Sequence, residues 1–401
     1  MPRAIRRIAL IYDARLAYDL KVMTGVAAYL QESGNYSVYI EENALKDQRL
    51  PDLRSWNGDG IVADFDHPAV AKAVAQSKLP VVGFGSGYGW YVQESSIPYF
   101  FTNNKAIATM AADHLLARGF RHFAYSGYAQ TPINGWSEER KQAFGRHLNE
   151  RGFSCEVYQP HYKTSHRWAS VQRSLGKWLM SLPKPLGVMA ANDNRARHVL
   201  EACRASGIRV PQDVAVIGVD NDELLCQLSS PPLSSVEQGA KRIGYNAAAL
   251  LDQLMCGNKP PQGRFVIDPS GIIIRESTDV LAIDDPAVAR AMAFIQEHAF
   301  DGINVPDVVS ATAISRSGLE TRFGRALGYT VRTAIRQVQL ERARRLISDT
   351  NLPLKQVAAN TGFRSVQHMT TLFGKAFGRS PAKYRETVVF SRPQVVPRFE
   401  G

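Results

Sequence analysis

Carboxylates and amides recur in this 401-residue chain at the ends of short apolar runs. Asp13 closes the run 8–12, Asp64-Phe65-Asp66 follows 60–63, Asn192-Asp193-Asn194 follows 188–191, and Asp220-Asn221-Asp222 follows 214–219. One Asp or Asn side chain can engage two neighbouring hydroxyls at once, and an Arg fork such as that of Arg140 can hold ring and hydroxyl oxygens. An aromatic plane such as Trp136 or Trp90 can cover the apolar face of the same small ligand. Taken singly, each of these residues fits a loop turn or a helix cap equally well, because Asp and Asn favour both. Their recurrence at successive run ends points instead to a small polyhydroxylated ligand.

A second chemistry occupies the last hundred residues, where one pattern is written twice. VPDVVSATAISRSGLETRFGRALGYT (305–330) is answered by LKQVAANTGFRSVQHMTTLFGKAFGRS (354–380). Ser315 corresponds to Ser365, Leu319 to Met369, Phe323 to Phe373, Gly324 to Gly374 and Gly328 to Gly378. Each copy reads as a helix, a tight turn and a second helix. Ser315 and Ser365 stand in the N-cap place, where a hydroxyl accepts from unpaired amides of the first turn. Leu319 with Phe323, and Met369 with Phe373, are spaced to share a buried face. Ser315, Arg316, Ser317, Glu320, Thr321 and Arg325 then face outward in the first copy, as Arg364, Val366, Gln367, His368, Thr370, Thr371 and Lys375 do in the second. Hydroxyls, amides and cations of this kind read base edges and grip phosphates. An ordinary helical bundle with a solvated face has no reason to repeat both the turn and the polar face. Residues 303–401 carry 16 Lys and Arg against 6 Asp and Glu, so +10 of the chain's net +11 sits there. That is the footprint of a surface that displaces counterions from double-stranded DNA.

The strand-end residues need a scaffold that brings them together. Runs at 8–12, 36–40, 60–63, 81–84, 123–126, 188–191 and 214–219 read as strands, and 20–32, 106–118, 140–151 and 196–206 as helices between them. Strands alternating with helices predict parallel, doubly wound sheets. Such sheets bind ligands in the crevice at the carboxyl ends of their strands. Residues 277–286 lose the periodicity, so the expected organisation is a ligand-binding unit over 1–276, a joint over 277–286, a DNA-binding unit over 287–390 and a tail over 391–401. The helix-turn-helix units fall near 305–327 and 354–377.

Several function classes are excluded. Asp220 and Asp222 could be paired as in a glycosidase, yet no nucleophile elbow, phosphate loop or metalloprotease helix is written in the chain. The stretch GFGSGYGW (83–90) lacks dinucleotide spacing. Cys155, Cys203, Cys226 and Cys256 are scattered, so neither a disulfide framework nor a metal site is expected. No cofactor is expected either. No run approaches the roughly 18 apolar residues of a membrane span, and 8–12 is too short for a secretory leader. A cytoplasmic protein is therefore expected, not a transport receptor or a sugar buffer.

The C-terminal repeat, the connecting stretch with Arg342, Arg344 and Arg345, and the closing GRSPAKYR (378–385) after Gly362-Phe363 resemble the DNA-binding domain of AraC/XylS-type regulators. The resemblance implies two recognition helices in successive major grooves, roughly 34 Å apart. His368-Met369 stands where that family usually has aromatic residues. VPQDVAVIGVDND (210–222) and PPLSSVEQGAKRIGYNAAALL (231–251) resemble the periplasmic-binding-protein-like (type I) domain of LacI/GalR-type repressors and ribose-type sugar-binding proteins. That implies two subdomains, with chain crossings near 101–104, 235–238 and 270. By this resemblance Asp220, Asn192 and Arg140 fall on ligand-binding positions, and Gln238 on a hinge-side one. The acidic residue expected after 81–84 is replaced by Gly85-Ser86-Gly87, with Asp64 or Asp66 as its substitute. The order of sensor then reader is similar to that of the xylose-operon regulators of enteric bacteria. This implies D-xylose as effector, a homodimer, RNA polymerase as a partner, and activation of catabolic genes. Another pentose or hexose, or repression, is the alternative.

Overall fold

The central strands are short apolar runs with no polar alternation, which is what a parallel sheet covered by helices on both faces requires. The computed structural model describes residues 5–41, 56–75, 77–86, 97–129, 131, 134–159, 168–259, 264–280, 283 and 285–389. Trp90, the end of the 83–90 stretch and the tail 391–401 lie outside the described residues. The first lobe contains β1 (Arg6–Ile11), α1 (Ala17–Ser33), β2 (Tyr36–Glu41), β3 (Gly60–Asp64), α2 (Pro68–Ala75), β4 (Val81–Gly85) and β5 (Tyr99–Thr102). The chain then crosses to a second lobe with α3 (Asn104–Ala117), β6 (His122–Ser126), α4 (Gly135–Asn149), β7 (Cys155–Tyr158), α5 (Trp168–Ser181) and β8 (Leu186–Ala190). It continues there through α6 (Asp193–Ala205), β9 (Val214–Val219), α7 (Glu223–Leu228) and β10 (Ser234–Glu237). It returns for α8 (Ala240–Met255) and β11 (Arg264–Ile267), and crosses a third time to β12 (Gly271–Ile273).

The strand orders are β11-β5-β4-β3-β1-β2 and β12-β10-β9-β8-β6-β7. All pairings are parallel except β10 with β12. The doubly wound α/β expectation is met twice over, once in each lobe. The three crossings are laced to one another: the Asn103 amide donates to Ile267 O, Asn103 Nδ2 to Asp268 Oδ1, and the Ser270 amide to Glu237 O, at 2.9, 2.8 and 2.8 Å.

In the first lobe α1 and α8 pack backbone to backbone, and two glycines permit it. A Cβ added at Gly25 would stand 1.9 Å from Lys241 O, and one at Gly244 1.8 Å from Val22 O. Neither obstacle is a side chain that can swing away. Gly244→Ala is therefore expected to destabilise the protein by about 3 kcal/mol, the upper part of the range for overpacking, measured as a drop in the denaturation midpoint. An unchanged midpoint would show that the helices separate freely.

The remainder is helical. After α9 (Pro286–His298), capped by Asp285, come α10 (Val305–Thr312), α11 (Arg316–Leu327), α12 (Val331–Asp349), α13 (Leu354–Ala359), α14 (Val366–Phe377) and α15 (Pro381–Val389). Two small cores hang on α12. Val331, Ala334 and Ile335 enter the first with Leu319 and Phe323, while Leu340, Ala343 and Ile347 enter the second with Met369 and Phe373. Gln339, at the seam, donates to Ala299 O and Gly362 O at 2.8 and 3.2 Å. The long helix thus fixes one helix-turn-helix unit against the other. The joint is shorter than the loss of periodicity suggests, because Ser277 and Thr278 are buried in the second lobe, Ser277 Oγ donating to Val216 O at 2.6 Å. Small hydroxyl residues carry no apolar period, so their burial is invisible to a pattern search.

A candidate ligand cleft and a candidate nucleic-acid interface

Each sheet reverses its strand order beside its first strand, at β1/β3 and at β6/β8, and sheets of this kind bind ligands beyond the carboxyl ends of the strands at that point. Arg140, in the first turns of α4, is the largest fully buried side chain there. Its Nε donates to Asn104 Oδ1 at 2.9 Å, Nη1 to Ala191 O at 2.6 Å and Nη2 to Gln238 Oε1 at 3.0 Å. The guanidinium lies 4.7 Å over the Trp136 ring. Gln238 in turn donates to Asp220 Oδ1. Asp220 sits at φ 108° and Asn221 at φ 48°, left-handed conformations that turn the chain sharply after β9.

The carboxylates of the cleft divide by environment. Burial pushes Asp66 up to about 6 although the Ser86 side chain, the Ser86 amide and Arg140 pull it back. Burial likewise pushes Asp220 up to about 6 against the opposing pull of Arg140, Gln238 and Lys21. Asp19 and Asp64 are raised well above the carboxylate range, first by burial and then by neighbouring carboxylates. Asp13 is held low by its bonds from Arg15. Five carboxylates therefore feel one another here, with Arg140 and Lys21 as the balancing cations.

The sequence-derived candidates do not all point the same way. Arg140, Gln238, Asp220, Asp66 and Trp136 converge on the crevice. Asp66 accepts from the Ser86 amide at 2.9 Å, and its Oδ1 would stand 2.6 Å from a Cβ at Gly85, so it fills the space that a larger residue after β4 would need. Asn192 uses its side-chain oxygen to cap α6 and to accept from Tyr128 OH at 2.8 Å. Asp64 accepts from the Asp66 amide at 2.8 Å, which makes it the brace of its turn. Asp13 is turned to Arg15, with Nη2 to Oδ2 at 2.6 Å. Asn221 is buried and committed on both sides, donating to Glu237 Oε2 at 3.0 Å and accepting from Arg275 Nη2 at 2.8 Å, so it supports the site from behind. Asp13, Asp64 and Asn192 depart from the expectation because a short Asx side chain finds a partner within its own turn more readily than across a cleft, while Asn221 is taken by Glu237 of β10 and by Arg275.

The sequence pattern missed the groups that tie the lobes together. Lys21 of α1 donates to Asp220 O and Glu237 Oε2, both at 2.7 Å. Asn104, the first residue of α3, donates to Ser86 O at 2.7 Å and Glu139 Oε2 at 2.8 Å. Lys21 looks like an ordinary solvated helix cation in sequence, and no local signal marks it.

At the other end of the chain, the two N-caps form as their spacing predicts. Ser315 Oγ accepts from the Gly318 amide and Ser365 Oγ from the His368 amide, both at 3.2 Å. Gly328 and Gly378 close α11 and α14 at φ 79° and 71°, each donating to the carbonyl four residues back at 2.9 Å. Ser315, Arg316, Ser317, Thr321 and Arg325 are exposed along the first repeat, as are Arg364, Gln367, His368, Thr371 and Lys375 along the second. Val366 and Thr370 are half-buried. Glu320 is drawn inward, its carboxylate accepting from the Val331 amide at 3.4 Å. That position suits a carboxylate, since the positive end of α12 begins there. Arg344, which the resemblance includes in the basic connecting stretch, is 3% exposed and turned away from this face.

Comparison with known proteins agrees with both halves. Residues 7–105 match a XylR N-terminal domain family, 112–278 a periplasmic binding protein-like domain, and 308–387 a helix-turn-helix domain. The chain is 38% identical over 381 residues to a xylose operon regulatory protein of Escherichia coli, covering 95% of this chain and 97% of that one. It is 34% identical over 380 residues to that of Haemophilus influenzae, covering 94% and 98%. A solved structure of a xylose-binding transcription activator is 37% identical, covers 96% of this chain and 99% of its own, and superposes with a TM-score of 0.64.

Proposed function

The chain belongs to the family of xylose operon regulatory proteins, and from that premise we propose that it activates xylose-use genes when D-xylose fills the interlobe cleft. It is a sugar-responsive, DNA-binding transcription regulator and not an enzyme. The effector is the sugar. D-xylose as that sugar, a homodimeric state, contact with RNA polymerase and a cytoplasmic location are parts of this reading.

One observation carries it. Arg140, Asp220, Asp66 and Gln238 meet between two lobes in a chain that ends in two exposed helices of the same design. Carboxylates accept from sugar hydroxyls while the guanidinium and carboxamide donate, so a pentose satisfies the cleft from both lobes at once. A sugar shifts the lobes only by binding their closed arrangement more tightly than the open one. Closure would then change how two protomers present α11 and α14 to successive major grooves.

The test uses the full-length chain and a duplex selected by it from random DNA. Fluorescence anisotropy is expected to show tighter binding with D-xylose than without. Equal affinities would overturn the reading. A calorimetric screen of aldoses is expected to rank D-xylose first, and a hexose in that place would assign a different effector.

The cleft also predicts a pH dependence. Asp66 and Asp220 are raised to about 6 by burial, so both are ionised acceptors above that value and become protonated as the pH falls below it. D-xylose affinity is therefore expected to weaken by roughly tenfold, about one lost charge-assisted hydrogen bond, between pH 7.5 and pH 5. A flat calorimetric profile across that window would remove these two carboxylates from the ligand's contacts.

A further inference from the structure

One charged side chain joins the DNA-binding half to the hinge of the sensor. Arg344 lies in the second half of α12, the helix on which both helix-turn-helix cores are strung. Its Nη1 donates to Pro269 O at 2.8 Å and Nη2 to Ser270 O at 3.3 Å. Both carbonyls belong to the third crossing between the lobes. Nη2 also lies 3.7 Å from Met110 Sδ on α3, the helix that begins at the first crossing with Asn104. Glu341, one turn earlier on α12, holds the guanidinium from below, with Nε to Oε2 at 3.0 Å and Nη2 to Oε1 at 2.9 Å. Arg345 lies over the same crossing, and a Cβ at Gly271 would stand 3.1 Å from its Nε.

This contact is connected to the cleft by few steps. The Ser270 amide donates to Glu237 O, and the Glu237 carboxylate holds Lys21, which also donates to Asp220 O. At the start of α3, Asn104 accepts from Arg140. Arg344 therefore touches the third crossing and α3, and each of these is bonded to residues of the cleft.

The acceptors are main-chain carbonyls of a crossing segment. Hinge segments absorb lobe rotation as changes in φ and ψ, which swing their carbonyls. Arg344 is buried and cannot turn to water when those carbonyls move. We propose that Arg344, braced by Glu341, is a latch that registers the lobe angle at residues 269–270 and sets the position of α12, coupling sugar occupancy to DNA binding within one protomer. The inference rests on the sugar-sensor reading given above and adds the route by which the cleft acts. It requires a planar fork, because one side chain must reach two carbonyls and a carboxylate together. A lysine ammonium in the same place is a compact point donor and cannot span them.

The experiment measures coupling, which a plain structural staple would not alter in a folded variant. In the full-length protein, Arg344→Lys and Glu341→Gln are compared with wild type in three measurements: D-xylose affinity without DNA, operator affinity with and without D-xylose, and thermal melting. Sites coupled through a two-state element typically affect each other by about 5- to 150-fold. The ratio of operator affinities with and without sugar is expected to fall toward 1 in Arg344→Lys and part-way in Glu341→Gln. D-xylose affinity of the free protein should stay within about twofold, since neither residue touches the cleft. By reciprocity, the effect of DNA on sugar affinity should fall by the same factor. Glu341→Gln keeps the shape of the contact, so it decides the matter if Arg344→Lys does not fold. A wild-type ratio above 1 that survives in the folded variants overturns the latch alone. A wild-type ratio of 1 overturns the sensor reading and the latch together.

Discussion

Arg140→Met is expected to remove measurable sugar binding, and with it the response of the protein to its effector. Methionine matches the length of the arginine stem but donates nothing. Asn104 Oδ1, Ala191 O and Gln238 Oε1 would each lose a donor at 2.6–3.0 Å, and Asp66 and Asp220 would lose the cation that pulls their pKa values down. Removing one partner from a buried charged network costs about 3–5 kcal/mol. Even the lower figure is more than 100-fold in affinity at about 1.4 kcal/mol per decade. Some of the loss falls on stability, so melting and calorimetry are measured together. Arg140→Met that binds D-xylose like wild type would take the guanidinium out of the site.

The second large effect is expected at the other end of the chain. Arg316, Arg325, Arg364 and Lys375 are exposed on and beside α11 and α14. If each neutralises one phosphate, replacing all four by alanine lowers the slope of log affinity against log salt by about 3.6, at about 0.9 per contact. At physiological salt this amounts to roughly a 1,000-fold weaker complex. Sugar affinity should not change, because the cleft is untouched. A slope that stays at the wild-type value would mean that another face meets the DNA. Changing Gln367 or Ser317 alone is a different experiment: a base contact is worth about 1–3 kcal/mol and relaxes sequence preference without altering the slope.

Much of the architecture was legible because its signals are local. The apolar runs ending at Asp13, Asp64 and Asp220 mark strand ends, since a buried parallel strand is apolar along most of its length and carries its polar groups at its ends. The duplicated turn was legible because its parts sit at fixed spacing: a capping serine, two apolar residues four apart, and a glycine to end the helix. The turns of the two copies use the same left-handed conformation, at Ala313 with φ 57° and at Gly362 with φ 73°.

What the chain determined by itself is therefore the kind of machine: doubly wound parallel sheets, a basic pair of helix-turn-helix units, and acceptor groups at the strand ends. Local propensity, period and charge suffice for that, because each acts over a few residues. Tertiary structure alone decided which strand-end side chains turn into the crevice. It gave Asp13 and Asp64 to their own neighbours and Asn221 to Glu237 and Arg275, brought Lys21 across from α1 to Glu237 and Asp220, and drew Glu320 back to the start of α12. It also buried Arg344 against carbonyls some 75 residues away. Such pairings depend on where the crossings place one lobe against another, and a charge in sequence carries no mark of the partner that folding will bring to it.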